Sequence, residues 1–415
     1  MPAPDVFASV LILGGGQAGF QTSASLRDNG FGGTVTIVGD EPGLPYQRPP
    51  LSKAYLTGGA EGRPVPVTLR PREFFDRHAV ELVGERATAI DREGRRLVLA
   101  SGRAIGFDHL VLAAGARPRP LPVPGAELER VFHLRTLADA DALREVLTAA
   151  ARLVVVGGGF VGMEVAASAR KLDVEVTVVE ALDRVLARVA TPEIAAHVTD
   201  VHAERGVEVL VRRTVRALHG VGGSVREVEL GDGSRLPADV VVIGIGVVPN
   251  TELAERAGLA VANGVVVDEQ LLTADPRISA IGDCASYPSR FAGDRTRLES
   301  VQNAVDQARY VAARLTGAAP GPYREVPWFW THQFDLRIQT AGIGREDDRR
   351  VVQGDPATGG FSVLRFQGER LVCVESVNRT ADHIAARKIL GEGRPLDPAT
   401  VMSTGFELKA FAAAG

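Results

Sequence analysis

Hydrophobic residues along the chain are grouped in short runs between polar segments, and several of these runs end in glycine. The run Val10–Leu13 leads into GGGQAG, and a helix-compatible stretch follows over residues 20–29. A second β-rich run, Thr34–Val38, ends close to Asp40. Short runs rich in β-branched residues predict buried strands. The order therefore predicts a β-α-β unit with an acidic residue at the end of its second strand.

The same arrangement occurs a second time. Leu153–Val156 leads into GGGFVG, a helix-compatible run follows over residues 163–171, and the strand-like run Glu175–Val179 ends at Glu180. A single GxGxxG is weak evidence, because any glycine turn can match it. Strand, glycines, helix and terminal acid coincide twice here, which is far more specific.

Each part of such a unit has a physical role in holding a dinucleotide. The glycines permit a tight turn, close approach to a pyrophosphate and close packing of helix on strand, while the helix N-terminus offers amides to the phosphates. Since a flavin accepts a hydride and can release electrons singly, we expect one site for resident FAD and one for NAD(P)H. Glu180 favours NADH, because a carboxylate repels a 2′-phosphate; Arg184 would weaken that preference.

Three further apolar runs end in glycine. They occupy residues 110–114, 239–243 and 278–281, and they lead to Gly115, to Gly244 and Gly246, and to Gly282. Each alone is typical of an ordinary turn at a strand end. Together they predict that backbone can approach a ligand at the carboxyl edge of a sheet.

Composition and charge narrow the class of protein. With 415 residues, the chain exceeds what one hydrophobic core usually organises, so two or three domains are expected. The net charge of −4 argues against a nucleic-acid or anionic-membrane surface. The N-terminal segment lacks a basic leader, and no run of about 18 apolar residues occurs. We therefore expect a cytoplasmic protein with no nucleic-acid or membrane partner.

Cysteine and histidine usage excludes several chemistries. The chain has two cysteines, Cys284 and Cys373, and neither is near the first glycine motif. A disulfide relay and a single-cysteine peroxidase are therefore excluded. The eight histidines show no paired metal spacing, so no metal site is expected. Without an internal acceptor, electrons must leave a flavin for an external one.

Several longer motifs carry a family resemblance that covers essentially the whole chain. They are GGGQAG, LPYQRPPLSKAYL (44–56), LAAGARPR (112–119), LRTLADA (134–140), GGGFVGMEVAA (157–167), GIGVVPN (244–250), AIGDCA (280–285), LESVQNAVDQAR (298–309) and PWFWTHQF (327–334). With them, the chain resembles FAD-dependent NADH:ferredoxin reductases of the putidaredoxin and rhodocoxin reductase type. These belong to the pyridine nucleotide–disulfide oxidoreductase superfamily.

The resemblance implies an α/β fold of the glutathione-reductase-like kind. It comprises two Rossmann-like dinucleotide-binding domains and a C-terminal α+β interface domain. We expect the FAD-binding domain at 1–115 and 250–320, the NAD-binding domain at 116–249 and the C-terminal domain at 325–415.

The resemblance also implies roles for individual residues. The implied FAD-binding residues are Gly14, Gly16, Ala18, Gly19, Asp40, Arg48, Lys53, Ala87, Arg135, Gly282, Asp283, Val301 and Trp330. The implied NAD-binding residues are Gly157, Gly159, Phe160, Gly162, Glu164, Glu180, Gly244 and Gly246. Lys53 and Glu164 are the implied catalytic pair, positioning the nicotinamide and tuning the field at flavin N5. Gln302 replaces a proline common in relatives, and Phe160 either shields the flavin or packs under its loop.

The implied reaction is electron transfer. NADH reduces a tightly and non-covalently bound FAD, which passes electrons singly to a [2Fe–2S] ferredoxin. That ferredoxin would serve a cytochrome P450 or a ring-hydroxylating oxygenase. Because such ferredoxins are usually acidic, a basic docking face is expected. Its candidate residues are Arg290, Arg295, Arg297 and Arg309.

Other functions stay open on the sequence. The acceptor could be rubredoxin, a quinone or oxygen. The protein could instead be an NADH-sensing flavoprotein like apoptosis-inducing factor, or a dinucleotide-binding module without catalysis. Trp328 and Trp330, two positions apart, would share one side of a strand. They would cover the flavin edge or pack the C-terminal domain.

Overall fold

The computed structural model describes residues 7–58, 63–318 and 321–414. Residues 1–6, which contributed to the prediction that no leader is present, lie outside the described part. The chain divides into two compact units. Unit 1 comprises Met1–Gln47, Thr68–Arg117 and Val248–Phe329, and unit 2 comprises Arg48–Val67, Pro118–Val247 and Trp330–Gly415.

The strands alternate with helices in both glycine-motif regions. In the first part of the chain the strands are β1 (Ser9–Leu13), β2 (Thr34–Gly39), β3 (Val80–Gly84), β4 (Ala87–Asp91), β5 (Arg96–Leu99), β6 (Ala104–Gly106), β7 (His109–Leu112), β8 (Ala116–Pro118) and β9 (Val131–His133). The middle part contains β10 (Arg152–Val156), β11 (Glu175–Val179), β12 (Val207–Leu210), β13 (Val215–Val221), β14 (Ser224–Leu230), β15 (Arg235–Pro237), β16 (Val240–Ile243) and β17 (Val247–Pro249). The last part contains β18 (Val265–Val266), β19 (Ile278–Ala280), β20 (Ala285–Ser289), β21 (Asp294–Thr296), β22 (Trp328–Gln333), β23 (Leu336–Gly342), β24 (Arg349–Asp355), β25 (Gly360–Gln367) and β26 (Arg370–Val377).

The α-helices of the described residues connect these strands. They are α1 (Gln17–Asp28), α2 (Ala54–Thr57), α3 (Arg72–Arg77), α4 (Leu137–Leu147), α5 (Phe160–Arg170), α6 (Pro192–Glu204), α7 (Glu252–Arg256), α8 (Val301–Leu315), α9 (Thr380–Glu392), α10 (Pro398–Val401) and α11 (Leu408–Ala413). None of them combines the length and the apolar character that crossing a bilayer requires.

Unit 1 is built on a parallel sheet in the order β19-β7-β1-β2-β3. Val10, Leu11 and Ile12 of β1 are buried, as expected for a central parallel strand. Helices α1 and α8 pack against each other. The ends of β1, β7 and β19 therefore lie side by side at one edge of this sheet.

Unit 2 contains a second parallel sheet, in the order β12-β11-β10-β16-β9. The predicted strands of both β-α-β units are confirmed. The two helices start earlier than predicted, at Gln17 and Phe160. The reason is that Gly16 and Gly159 are the N-cap residues, so the last residues of each glycine motif already form the first helical turn.

The C-terminal part of unit 2 forms an antiparallel sheet in the order β22-β23-β26-β25-β24, followed by α9. Helix α6 is joined to this sheet by a buried carboxylate. Glu375 of β26 accepts hydrogen bonds from the backbone amide and the hydroxyl of Thr191, the N-cap residue of α6, each at 2.8 Å. Arg365 donates to the same carboxylate at 2.7 Å. The three-domain boundaries expected from the sequence stay a prediction.

Candidate active site

Two glycines of the first motif are required by the packing of the protein itself. Gly14 has φ of +115°, and a Cβ there would lie 2.2 Å from the carbonyl oxygen of Ala113. A Cβ at Gly19 would lie 1.9 Å from the carbonyl oxygen of Gly14. Only glycine fits positions where backbone approaches so closely.

The middle glycine of the motif has a different environment. A Cβ at Gly16 would meet no protein atom within 4 Å, so packing does not require glycine there. Gly16 offers no side chain to the first amides of α1, and the first turn of that helix carries no acidic residue. The position is open to an anion that needs close contact with backbone. These features fit the pyrophosphate of FAD.

The other unit 1 candidates lie at the ends of neighbouring elements. Asp40 is exposed just after β2, Ala87 is buried at the start of β4, and Val301 begins α8. Gly282 lies against α1, because a Cβ there would be 3.2 Å from the methyl of Ala18. Its amide donates to the buried amide oxygen of Gln307 at 2.7 Å.

Asp283 follows Gly282 in a short 3₁₀ turn and is half-buried. Its carbonyl oxygen accepts a hydrogen bond from Arg297 at 3.1 Å. The Arg297 side chain is 8% exposed and also pairs with Glu299 at 2.7 Å. Arg297 therefore supports the turn at Asp283 from within unit 1, in contrast to its expected place on an exposed basic face. The other predicted docking residues, Arg290, Arg295 and Arg309, are exposed.

The second glycine motif repeats the geometry of the first. Gly157 has φ of +107°, and a Cβ there would lie 2.6 Å from the carbonyl oxygen of Gly244. A Cβ at Gly162 would lie 2.1 Å from the carbonyl oxygen of Gly157. At Gly159 the nearest protein atom would be 3.9 Å away. Again the outer glycines serve the fold, and the middle one leaves room for a ligand.

Glu180 is tied to this loop by backbone hydrogen bonds. Its carboxylate accepts from the amide of Gly158 at 2.7 Å and from the amide of Leu182 at 2.8 Å. Arg184, which could have favoured a 2′-phosphate, instead donates to Asp183 and to the carbonyl oxygen of Ala187. The carboxylate, and not the guanidinium, is therefore the charge held at the end of β11.

Arg188 is a residue that the sequence analysis missed. Its guanidinium lies 3.3 Å from where a Cβ of Gly246 would be, and Gly246 has φ of +98°. Arg188 is exposed. The signal was present in the sequence as a second arginine after Glu180, but an arginine in a loop is more often a solvated surface residue.

Lys53 and Glu164 form an ion pair within unit 2. The ammonium lies 2.7 Å from Oε2 of Glu164, and it also donates to the carbonyl oxygen of Pro49 at 3.0 Å. Glu164 is on α5, two residues after the second glycine motif, and is 5% exposed. Ser52 donates to Oε2 at 2.5 Å. A buried carboxylate held by several donors in this way keeps its orientation.

The remaining candidate residues lie in other segments of the chain. Arg48 donates to the carbonyl oxygen of Arg135 at 2.7 Å, which joins the RPPLSK segment to the loop before α4. Trp330 of unit 2 and Trp328, at the end of unit 1, are both in β22, and both are half-buried. Two positions apart on a strand, they share one side of it. Phe160 packs against the core of unit 2, which favours the packing interpretation of this residue.

Both cysteines are free and buried. Burial raises the pKa of the Cys284 thiol to about 11, and it also raises the pKa of Cys373. Neither thiol ionises near neutral pH, so neither is a ready nucleophile. Among the described residues, no group of three or more potential metal ligands occurs.

The fold and the two glycine motifs are those of an oxidoreductase that uses two dinucleotides. Comparison with known families agrees: residues 8–308 match the pyridine nucleotide-disulphide oxidoreductase family, and residues 328–412 match the reductase C-terminal family. The chain belongs to the pyridine nucleotide-disulphide oxidoreductases. Membership implies FAD and NAD(P)H as cofactors.

Individual relatives are ferredoxin reductases. The chain is 50% identical over 402 residues to rhodocoxin reductase of Rhodococcus erythropolis, covering 97% of this chain and 93% of the relative. It is similar to the crystal structure of the ferredoxin reductase for the CYP199A2 system from Rhodopseudomonas palustris, with a TM-score of 0.94, 48% identity and coverage of 98% and 100%. It is also similar to the putidaredoxin reductase in a covalent complex with putidaredoxin, with a TM-score of 0.93, 40% identity and coverage of 98% of each chain.

These findings confirm the predicted fold class and the predicted oxidoreductase class of ferredoxin reductase type. The roles assigned to individual residues stay predictions, although the structure shows the Lys53–Glu164 pair and the contacts around Glu180.

Proposed function

We propose that the protein oxidises NADH with a tightly, non-covalently bound FAD and passes electrons singly to a [2Fe–2S] ferredoxin. The ferredoxin would serve a cytochrome P450 or a ring-hydroxylating oxygenase in the cytoplasm. The observation that carries the proposal is the pair of middle glycines, Gly16 and Gly159, whose open Cβ positions suit two dinucleotides in one chain. When bound, FAD supplies acceptance of a hydride and release of single electrons.

The chain's own residues would bind the two cofactors and orient them. The amides after Gly16 would hold the FAD pyrophosphate, and Asp40 would accept hydrogen bonds from its ribose. Asp283 would bind the ribityl chain. In unit 2, the amides after Gly159 would hold the NADH pyrophosphate and Glu180 its adenine ribose.

Lys53 and Glu164 would form the polar side of the nicotinamide site. The pair would orient the ring and set the local field, and no side chain needs to act as a general base. The buried state of both thiols supports an acceptor outside the chain. The ferredoxin reductase relatives support a ferredoxin as that acceptor.

The test is a stopped-flow and steady-state comparison on the yellow holoprotein. NADH should bleach the flavin absorbance quickly, and re-oxidation should be rapid only when ferredoxin is added. Cytochrome c reduction should depend on the same ferredoxin. Fast re-oxidation by rubredoxin or a quinone alone would replace the proposed acceptor. Slow bleaching into a long-lived charge-transfer complex would favour an NADH-sensing role, and a colourless protein would contradict the whole proposal.

A further inference from the structure

The carboxylate of Glu164 is held from two sides. Lys53 and Ser52 both bind Oε2, at 2.7 and 2.5 Å. The other oxygen, Oε1, accepts the hydroxyl of Thr331 at 2.5 Å. Thr331 is on β22 of the C-terminal sheet and is fully buried. Because donors occupy both oxygens, the carboxylate plane cannot rotate without breaking a hydrogen bond.

Thr331 is itself the end of a chain of donors. The amide nitrogen of Gln333 lies 3.5 Å from the Thr331 oxygen, a long contact, and the amide oxygen of Gln333 lies 3.0 Å from Nε2 of His202. Burial lowers the pKa of His202 to about 4, so the ring is neutral and its Nε2–H can donate. With His202 donating to Gln333, the Gln333 amide and then the Thr331 hydroxyl donate towards Glu164.

We propose that Thr331 is a positioning residue for nicotinamide oxidation, fixing the Glu164 carboxylate through the oxygen that Lys53 does not bind. The proposal rests on the proposed function, because it assigns Glu164 to the nicotinamide site. The C-terminal segment would thereby contribute to the reductive step through a hydroxyl, in addition to any contact with flavin or partner. Loss of a hydrogen bond to a buried charge is expected to slow a step that depends on the orientation of that charge.

The test uses the holoprotein and three variants. Thr331→Val removes the hydroxyl at nearly constant shape, Thr331→Ser keeps it, and Thr199→Val is the matched control. The Thr199 hydroxyl donates only within its own helix, to the carbonyl oxygen of Ala195 at 2.9 Å. Flavin content, the limiting rate of flavin reduction by NADH, and the rate of re-oxidation by ferredoxin are measured separately.

We expect Thr331→Val to slow flavin reduction by about tenfold or more, and Thr331→Ser to stay within about threefold of the wild type. Thr199→Val should match the wild type. Re-oxidation by ferredoxin should not change in any variant, whereas general damage to the fold would slow both steps. If Thr331→Val does not retain flavin, Thr331→Ala removes the same donor without placing a second methyl against the carboxylate.

Three outcomes overturn the inference. The first is reduction of Thr331→Val or Thr331→Ala at the wild-type rate. The second is equal slowing in Thr331→Val and Thr331→Ser, and the third is slowing of both half-reactions. Wild-type flavin that NADH bleaches but ferredoxin does not re-oxidise would contradict the proposed acceptor alone, since the reductive step still tests Thr331. Wild-type flavin that NADH cannot bleach would contradict both proposals.

Discussion

The carboxylate of Glu180 accepts a hydrogen bond from the amide of Gly158, 2.7 Å away. The residue that is proposed to bind the NADH ribose therefore also fixes the glycine loop that is proposed to bind the pyrophosphate. Two parts of one nucleotide site depend on a single side chain. The preference for NADH over NADPH and the conformation of the glycine loop are consequently expected to depend on the same residue.

Replacement of Glu180 should change both properties. In Glu180→Ala we expect the KM for NADH to rise about tenfold, and the preference for NADH over NADPH to fall, because the repulsion of a 2′-phosphate is lost. Steady-state kinetics with both nucleotides measure this. Glu175→Ala, at the other end of β11, is the control and should behave like the wild type. Unchanged selectivity in Glu180→Ala would contradict the assignment.

The two middle glycines should separate the two cofactors. Because a Cβ at either position meets open space, Gly16→Ala and Gly159→Ala should both fold. We expect Gly16→Ala to lose flavin, and Gly159→Ala to keep flavin while its KM for NADH rises about tenfold. Flavin absorbance per protein and NADH kinetics distinguish the two. In contrast, Gly19→Ala should not fold, and loss of the same cofactor from both middle-glycine variants would refute the assignment.

Asp283→Ala should lower flavin retention. The side chain is proposed to bind the ribityl chain of FAD, next to a turn whose backbone is held by Arg297. Flavin occupancy after gel filtration measures the effect, and Asp294→Ala on the exposed strand β21 provides the control. Full occupancy in Asp283→Ala would rule out this role.

Long-range polar contacts explain what the sequence could not predict. The β-α-β units were readable because glycine turns, apolar runs and terminal acids are local signals. From the sequence, Arg297 is expected to be a surface arginine. Its side chain is buried because it donates to the carbonyl oxygen of Asp283, which only the fold brings close to it. In the sequence, Thr331 is one polar residue in a strand rich in aromatic residues. Its contact with Glu164 could not be predicted, because the two residues are far apart along the chain. The low exposure of the Arg297 side chain, 8%, could not be expected from the sequence for the same reason, and the docking face stays a prediction.

Stability should fall as the pH falls from about 6.5 to about 4. Burial lowers the pKa of His202 from 6.5 to about 4, so in this window the unfolded chain binds a proton that the folded chain does not. For each pH unit in this window, this residue lowers the free energy of unfolding by up to about 1.4 kcal/mol. Urea unfolding at pH 7 and pH 5 measures the change. His202→Gln should show a smaller loss between the two values, and an equal loss would contradict the assignment.

Ferredoxin binding should depend on the exposed arginines of unit 1. In Arg309→Glu we expect the KM for ferredoxin to rise about fivefold at low salt, because electrostatic attraction speeds association, and the difference should shrink at high salt. Flavin reduction by NADH should stay as in the wild type. Arg216→Glu, an exposed arginine on strand β13, is the matched control. Equal KM values for both variants would exclude Arg309 from the docking face.

The contact between Glu375 and Thr191 has a consequence for synthesis of the protein. The N-terminus of α6 is completed by a carboxylate 184 residues later in the chain. While the ribosome is still extending the chain, this helix end lacks its partner, and the segment around Thr191 is exposed without the C-terminal sheet that later binds it. Emerging chains should therefore stay sensitive to protease in this segment until translation of the last strand, β26, is complete.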